Sequence, residues 1–319
     1  MCYSAQIWAD YKRYTRSYGA VLSIKEFFDL FWRRNGDSKV KIPKEMERPF
    51  LSPTGDVAAK VKALIDEFAA KQATKFEQEL FTQRERLADA ERVLLTKPTK
   101  AAAESQRIAT TKIAATMERL SDLRRMEPLD RDSRIFPGNY APVMVMENGR
   151  RLIRPMRYQC RPAGKPAFYD TKFPGTYNAR RDNLQGFWKD LFGYSHGLMV
   201  VNAFYENVNR HRVEGRALAP GEEVENRVLE FRPRSTQDLL VACLWSRWTG
   251  PGEPDLLSFA AITDEPPPEV SAAGHDRCII PIRPENIDAW LNPDPKNLRA
   301  LDAILNDRER PYYEHELAA

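Results

Sequence analysis

Residues 198–206 read LMVVNAFYE and carry the pattern on which the fold of this chain is centred. The run at 198–203 is mostly aliphatic and β-branched, a composition typical of a buried strand. Two aromatic residues then lead to a carboxylate, Glu206. Similar short apolar runs occur at residues 143–146, 239–244 and 279–282, among frequent Pro and Gly. The second half of the chain is therefore predicted to be rich in β-strands.

Residues 57–95 contain neither Pro nor Gly, and their apolar residues recur at intervals of three, four, seven or eight. This spacing is typical of a helix with a narrow apolar face. The segment 97–100, KPTK, interrupts the pattern, and a second helical stretch follows at residues 101–126. Two long helices joined by a short turn predict an antiparallel helical hairpin. Two interpretations stay open: an arm that packs only on itself, or a surface for self-association or for an unknown protein partner.

These patterns together predict one α+β domain formed by residues 2–53 and 128–306. Residues 54–127 are expected to be the helical hairpin inserted within it, and residues 307–319 a polar C-terminal tail. A length of 319 residues is compatible with a single domain that carries such an insertion.

Composition excludes several classes of protein. The formal net charge is only +4, from 49 basic and 45 acidic residues, so no overall polyanion-binding signature exists. No run approaches 18 apolar residues, which argues against a membrane span. The cysteines include no CxxC pair, which argues against a zinc site and a disulfide framework and favours reduced thiols in a cytoplasmic protein. No cofactor is expected. The cysteines are Cys2, Cys160, Cys243 and Cys278.

The N-terminus begins Met1-Cys2. Removal of the initiator methionine would leave Cys2 with an α-amine of pKa ~8 beside a thiol of pKa ~8.5. Such a 1,2-aminothiol forms an imine with an aldehyde and then closes a five-membered thiazolidine ring. An internal cysteine cannot do this, because its amine is part of a peptide bond. On its own, however, Cys2 is most simply interpreted as an ordinary second residue.

Three polar clusters stand out further along the chain. Asn178 lies in the segment YNARR at 177–181, Glu206 follows a predicted strand, and His275 lies in GHDR just before another. Each cluster alone has an ordinary explanation, such as a solvated carboxylate or a structural histidine.

The order of these motifs resembles the SOS-response-associated peptidase (SRAP) family. Met-Cys is followed by Asn-Ala-Arg, then Phe-Tyr-Glu, then His-Asp-Arg, and three supporting segments also match. The resemblance is close over residues 135–293, loose over 2–50, and leaves out 54–127. It implies a β-rich, barrel-like domain with flanking helices. The supporting segments are Tyr140-Ala141-Pro142, Leu244-Trp245-Ser246-Arg247-Trp248 and Asp288-Ala289-Trp290-Leu291.

The resemblance implies a protein that attaches itself to abasic sites in single-stranded DNA. The Cys2 amine would attack the C1′ aldehyde of the opened sugar, and the thiol would close the ring. Glu206 would be the general acid and base, Asn178 would orient Cys2 or the sugar, and His275 would shuttle the proton. The imine stage makes strand cleavage by β-elimination possible.

The resemblance also implies DNA contacts and a peptidase activity. Arg180 and Arg277 would bind the flanking phosphates. Removal of residues that precede Cys2 would use the same four residues, namely Cys2, Asn178, Glu206 and His275.

The chain departs from the family pattern at two motifs. The usual opening Met-Cys-Gly-Arg is here Met1-Cys2-Tyr3-Ser4, so an arginine near the nucleophile is missing. The usual Arg-Trp-Gly is here Arg157-Tyr158-Gln159. The tryptophan of that motif stacks on DNA in the family, and Tyr158 is expected to stack on a base in its place, next to Arg157.

Two other functions remain as alternatives. One is a cysteine peptidase or amidohydrolase with an N-terminal nucleophile that acts independently of DNA. The other is a scaffold in which residues 54–127 supply a coiled-coil interaction surface.

Overall fold

A computed structural model of the chain describes residues 4–7, 9–235 and 237–318. Its α-helices are α1 (Tyr11–Tyr18), α2 (Ile24–Gly36), α3 (Asp56–Thr96), α4 (Lys100–Arg124), α5 (Tyr169–Lys172), α6 (Arg210–Val213), α7 (Pro268–Ala272), α8 (Ile287–Leu291) and α9 (Leu298–Asn306). Its strands are β1 (Ser4–Ile7), β2 (Val21–Leu22), β3 (Arg134–Ile135), β4 (Tyr140–Glu147), β5 (Arg150–Tyr158), β6 (Asn178–Arg180), β7 (His196–Asn209), β8 (Asn226–Pro233), β9 (Leu239–Gly250), β10 (Glu253–Asp264), β11 (Cys278–Ile279) and β12 (Tyr313–Leu317). The predicted α+β fold class is confirmed.

Strand β7 is the centre of the sheet. Its first half pairs antiparallel with β9, from His196 opposite Leu244 to Val201 opposite Leu239. Its second half pairs with β8 on one side and with β1 on the other. Because side chains are buried on both faces of its first half, residues 198–201 are uniformly apolar and form part of the continuous run that the sequence shows.

Strand β10 is the second hub. It pairs antiparallel with β9 and β11, and parallel with β5 and β6. Hydrogen-bonded pairing can be followed from β10 through β5, β4, β7 and β9 back to β10. Only one residue pair, Met144 with Leu198, joins β4 to β7 among the described residues, however. The large twisted sheet is therefore not a true barrel, which corrects the barrel-like geometry implied by the family resemblance.

The predicted helical hairpin is present as α3 and α4. Thr99 ends the turn between them and caps α4, because its side chain accepts a hydrogen bond from the Ala102 backbone. Small side chains at seven-residue intervals on α4, namely Ala102, Ala109 and Thr116, are buried, so the helices approach closely. Most other positions on both helices are exposed, including Phe81. The division of the chain into an interrupted domain and an insertion at 54–127 stays a prediction.

The C-terminal segment forms a strand that the sequence analysis did not predict. Strand β12 pairs antiparallel with β8, with Tyr313 opposite Pro233 and Leu317 opposite Leu229. Tyr313 is buried, whereas Glu314 and Glu316 are exposed. The polar residues that suggested a tail are therefore the solvent-facing positions of an outer strand.

Two further observations concern the described part of the chain. No helix there is both long enough and apolar enough to cross a membrane. Its three cysteines, Cys160, Cys243 and Cys278, are free thiols and are buried.

Candidate functional site

Strand β7 places Glu206 in the interior of the protein. Glu206 lies opposite Leu229 of β8, and none of its surface is exposed to solvent. A carboxylate in such a position is costly unless a specific partner compensates for the lost solvation.

The partner is supplied by the loop that follows α7. The backbone amide of Gly274 donates to Ser271, and that of His275 donates to Val270, so the loop turns tightly back. Gly274 has φ of +94°, and a Cβ built there would lie 2.8 Å from Cγ1 of Val208, on β7. A glycine is required because any side chain would push this loop away from β7.

This packing brings His275 and Glu206 together. His275 Nε2 lies 3.1 Å from Glu206 Oε2, and His275 itself is only 7% exposed. On the other side of the ring, Nδ1 lies 2.9 Å from the carbonyl oxygen of Arg277 and 3.3 Å from its amide nitrogen. Burial lowers the pKa of His275 below its usual value, so the imidazole is neutral at neutral pH.

Two arrangements of protons satisfy these contacts. In the first, Nε2 carries the proton and faces the Glu206 carboxylate, while Nδ1 accepts from the Arg277 amide. In the second, Nδ1–H donates to the Arg277 carbonyl and the bare Nε2 faces a protonated Glu206. The two arrangements differ by one proton, so the pair can take up and release a proton as a unit. This is the chemical ability that a general acid and base requires.

Asn178 lies on a neighbouring part of the sheet. It begins β6 and pairs with Ala261 of β10, the strand that also pairs with β11 just after His275. Asn178 is 6% exposed, and its Oδ1 and Nδ2 have no hydrogen-bond partner within the described residues. Because buried amides are almost always hydrogen-bonded, the two atoms are an exception among the described residues, and they remain available to a further group.

Cys2 lies outside the described residues. The nearest described position along the chain is Ser4, which begins β1 and pairs with Tyr205, the residue before Glu206. The first described residues of β1 thus lie beside the strand that carries Glu206.

The predicted DNA-binding residues fall into two groups. Arg180 is half-exposed and forms an ion pair of 2.7 Å with Asp182. Arg277 belongs to the His275 loop, and its Nε lies 4.0 Å from a carboxylate oxygen of Asp276. Both arginines therefore lie in segments that also carry Asn178 or His275.

Arg157 and Tyr158 lie elsewhere. Arg157 is held by Asp170, at 2.7 Å, and by the carbonyl oxygen of Gln159. Tyr158 is 1% exposed, with its ring stacked on Phe259 at 5.2 Å. The core covers the ring face of Tyr158 in this structure. The ring therefore exposes no surface on which a DNA base could stack as predicted.

Two features near the pair were missed by the sequence analysis. Gly274 acts through its contact with Val208, 66 residues earlier in the chain, and no local pattern reports such a contact. Cys278 lies near Glu206: burial, and then the Glu206 carboxylate, raise the pKa of its thiol. Within residues 4–7, 9–235 and 237–318, no cluster of three or more His, Cys, Asp or Glu side chains could hold a metal ion.

Comparison with known proteins identifies the family. The family model described as SOS response associated peptidase (SRAP) matches residues 92–317, which is more than two thirds of the chain. The chain belongs to this family. Its membership is consistent with a DNA-damage-associated, peptidase-like protein. The match begins within α3 and ends at the last residue of β12.

Several solved structures are similar, and curated proteins give no match. An X-ray structure of a protein from Bordetella bronchiseptica has 16% sequence identity and a TM-score of 0.45, and covers 59% of this chain and 87% of that chain. A protein from Bacteroides thetaiotaomicron has 11% identity and a TM-score of 0.44, with 59% and 78% covered. A phage-related protein from Bordetella bronchiseptica has 18% identity and a TM-score of 0.44, with 61% and 85% covered.

Proposed function

We propose that this protein senses abasic sites in single-stranded DNA and links itself to them through a thiazolidine formed by Cys2. The observation that carries the proposal is the buried Glu206–His275 pair, with 3.1 Å between Oε2 and Nε2, beside the strand that begins at Ser4. A proton-transfer pair is what the reaction of an amine with an aldehyde requires.

The reaction proceeds in two balanced steps. The Cys2 α-amine, once Met1 is removed, adds to the C1′ aldehyde of the opened abasic sugar, and loss of water gives an imine. The Cys2 thiol then adds to the imine carbon, a carbon–sulfur bond forms, and the thiol proton passes to the nitrogen. Glu206 and His275 would donate the proton that expels water and accept the proton of the thiol.

The proposal requires Cys2 to approach the pair from the Ser4 end of β1, and Ser4 pairs with Tyr205, the residue before Glu206. Asn178 would use its unpaired Oδ1 and Nδ2 to bind the Cys2 amine or the sugar hydroxyl. Arg180 and Arg277 would bind flanking phosphates.

A gel assay tests the proposal directly. A single-stranded oligonucleotide with one uracil is treated with uracil glycosylase, incubated with purified protein, heated in denaturant and resolved by electrophoresis. Wild-type protein is expected to give a heat-stable shifted band. Cys2→Ser keeps the amine but cannot close a thiazolidine, so its adduct should appear only after borohydride reduction of the imine.

The matched control is Cys160→Ala, since Cys160 is a buried free thiol. It should retain the stable band. A stable band of wild-type intensity from Cys2→Ser would refute the proposal. Strand cleavage by the Cys2→Ser protein would show that the imine stage also supports β-elimination.

The family description favours a second candidate, a peptidase that uses the same residues. It predicts that wild-type protein cleaves a peptide extension placed before Cys2, in the absence of DNA, and that Glu206→Gln does not. Retention of the extension by wild-type protein, measured by mass spectrometry, would argue against it.

A further inference from the structure

Arg134 lies beside Ser4, the position at which the N-terminal motif has no arginine. Position 4 is Ser4, but Arg134 on β3 donates from Nε to the Ser4 hydroxyl at 3.1 Å. The backbone of β3 pairs with the same strand, since Arg134 lies opposite Gln6 and Ile135 opposite Ala5. A guanidinium from the segment after the hairpin is therefore fixed at the first described residue of β1.

The guanidinium is also held against β7. Its central carbon lies 3.8 Å from the centre of the Tyr205 ring, and 5.0 Å from that of Phe136. Tyr205 is the residue before Glu206 and pairs with Ser4. The contacts with Ser4 and Tyr205 use Nε and one face of the Arg134 guanidinium, and they fix the orientation of that group.

The rest of the guanidinium is available. The described residues give Nη1 and Nη2 of Arg134 no hydrogen-bond partner, and the side chain is half-exposed. It opens on a cleft of about 270 Å³ that Lys44, Arg131 and Asn139 also line. The two acids of the cleft are already paired: Asp132 with Arg125 at 2.6 Å, and Asp122 with Arg131 at 2.6 Å.

We propose that Arg134 binds a backbone phosphate of single-stranded DNA next to the reacting sugar, through Nη1 and Nη2. Its Nε bond to Ser4 fixes this phosphate relative to the start of β1. An arginine from a distant segment thus replaces the one that the N-terminal motif lacks. This inference rests on the proposed function, because it takes single-stranded DNA as the ligand.

Binding of intact DNA tests the inference without the covalent step. Fluorescence anisotropy with an oligonucleotide that has no abasic site gives the affinity over a range of salt concentrations. Arg134→Ala is expected to bind about tenfold more weakly at low salt. The slope of log affinity against log salt should fall by about 0.7, the value for one phosphate of a single strand. Arg134→Lys, which keeps the charge, should keep the slope.

The control is Arg92→Ala, which removes one charge from an arginine that is exposed on α3 and paired with Asp89. It should behave as wild type. A second measurement replaces one phosphate at a time by a neutral methylphosphonate. At one position the replacement should weaken wild-type binding about tenfold but leave Arg134→Ala unaffected.

The outcomes separate the two proposals. Equal affinities and salt slopes for Arg134→Ala and Arg92→Ala would overturn the role of Arg134, whatever the crosslinking assay shows. Failure of wild-type protein to form an adduct, with the difference in slope intact, would overturn only the Cys2 chemistry.

Discussion

Strand β7 carries one buried histidine at its start and contacts another near its end, and the two are used differently. At His196, the Gly193 amide donates to Nε2 at 2.9 Å, and Nδ1–H donates to the Trp290 carbonyl at 3.1 Å. The ring also packs 4.0 Å from the Trp290 ring. At His275, Nε2 faces the Glu206 carboxylate instead. Burial alone does not indicate function, because only the second histidine has a partner that exchanges protons.

The largest expected effect is a loss of reaction rate when the partner of His275 is changed. Glu206→Gln keeps the shape of the side chain but cannot exchange a proton with His275. The rate of adduct formation under single-turnover conditions should fall about 10²–10⁴-fold. The free energy of unfolding, measured with urea, should change little. A rate within about threefold of wild type would show that the pair does not transfer the protons.

The opposite result is expected at the other end of β7. His196→Ala leaves the Gly193 amide and the Trp290 carbonyl unpaired and removes a packed ring. The free energy of unfolding should fall by about 2–4 kcal/mol. The adduct rate per folded molecule should stay at the wild-type value. A large loss of rate in fully folded protein would contradict the structural role of His196.

Gly274→Ala tests whether the approach of the loop to β7 creates the site. The new Cβ would meet Val208 Cγ1 at 2.8 Å, so His275 should be displaced and the adduct rate should fall at least tenfold, with a loss of about 1–3 kcal/mol in stability. Gly138→Ala is a matched control: its φ is +92°, yet no atom lies within 4 Å of the new Cβ. It should lose stability but keep the rate. Equal rates for the two variants would exclude this packing as the cause.

Acidification should destabilise the protein through its buried histidines. Burial lowers the pKa of His196 to about 3 and also lowers that of His275. Above pH ~6.5, the usual histidine pKa, both folded and unfolded states are neutral. Below it the unfolded state binds the proton first, so stability falls as the pH is lowered, by about 1.4 kcal/mol per pH unit for His196.

Urea unfolding between pH 6.5 and pH 5 measures this effect above the range where carboxylates titrate. His196→Ala should flatten the dependence on pH. An unchanged slope in His196→Ala would show that His196 is not the buried neutral group described above.

The sequence predicted the parts of the molecule whose patterns are local. The apolar run in residues 198–203 gave β7, and the spacing in residues 57–95 gave α3. Strands β8 and β12 were missed, because one face of each is polar and their apolar residues are few.

The site divides in the same way. The motif order selected Glu206 and His275 as candidates, and the structure places them in contact. Asn178 was also selected, but only the structure shows that its polar atoms are unpaired. The contacts of Gly274 with Val208 and of Arg134 with Ser4 join residues that lie far apart in the chain. No local pattern encodes them, so they could not be predicted from one sequence.

The smallest expected effect is on the affinity for single-stranded DNA when one exposed charge, Arg180 or Lys189, is removed. Arg180 shares β6 with Asn178 and is half-exposed, and its pairing with Asp182 already offsets part of its charge. Arg180→Ala should weaken binding of single-stranded DNA only about two- to fivefold at low salt, and the difference should vanish near 1 M salt, where the screening length is about 3 Å. Lys189→Ala removes an exposed charge from the segment that leads to His196, and it should have no effect at any salt concentration. If both variants weaken binding equally, DNA is attracted by the overall charge of the protein. If only Arg180→Ala weakens binding, the DNA binds at the end of the sheet that carries Glu206 and His275.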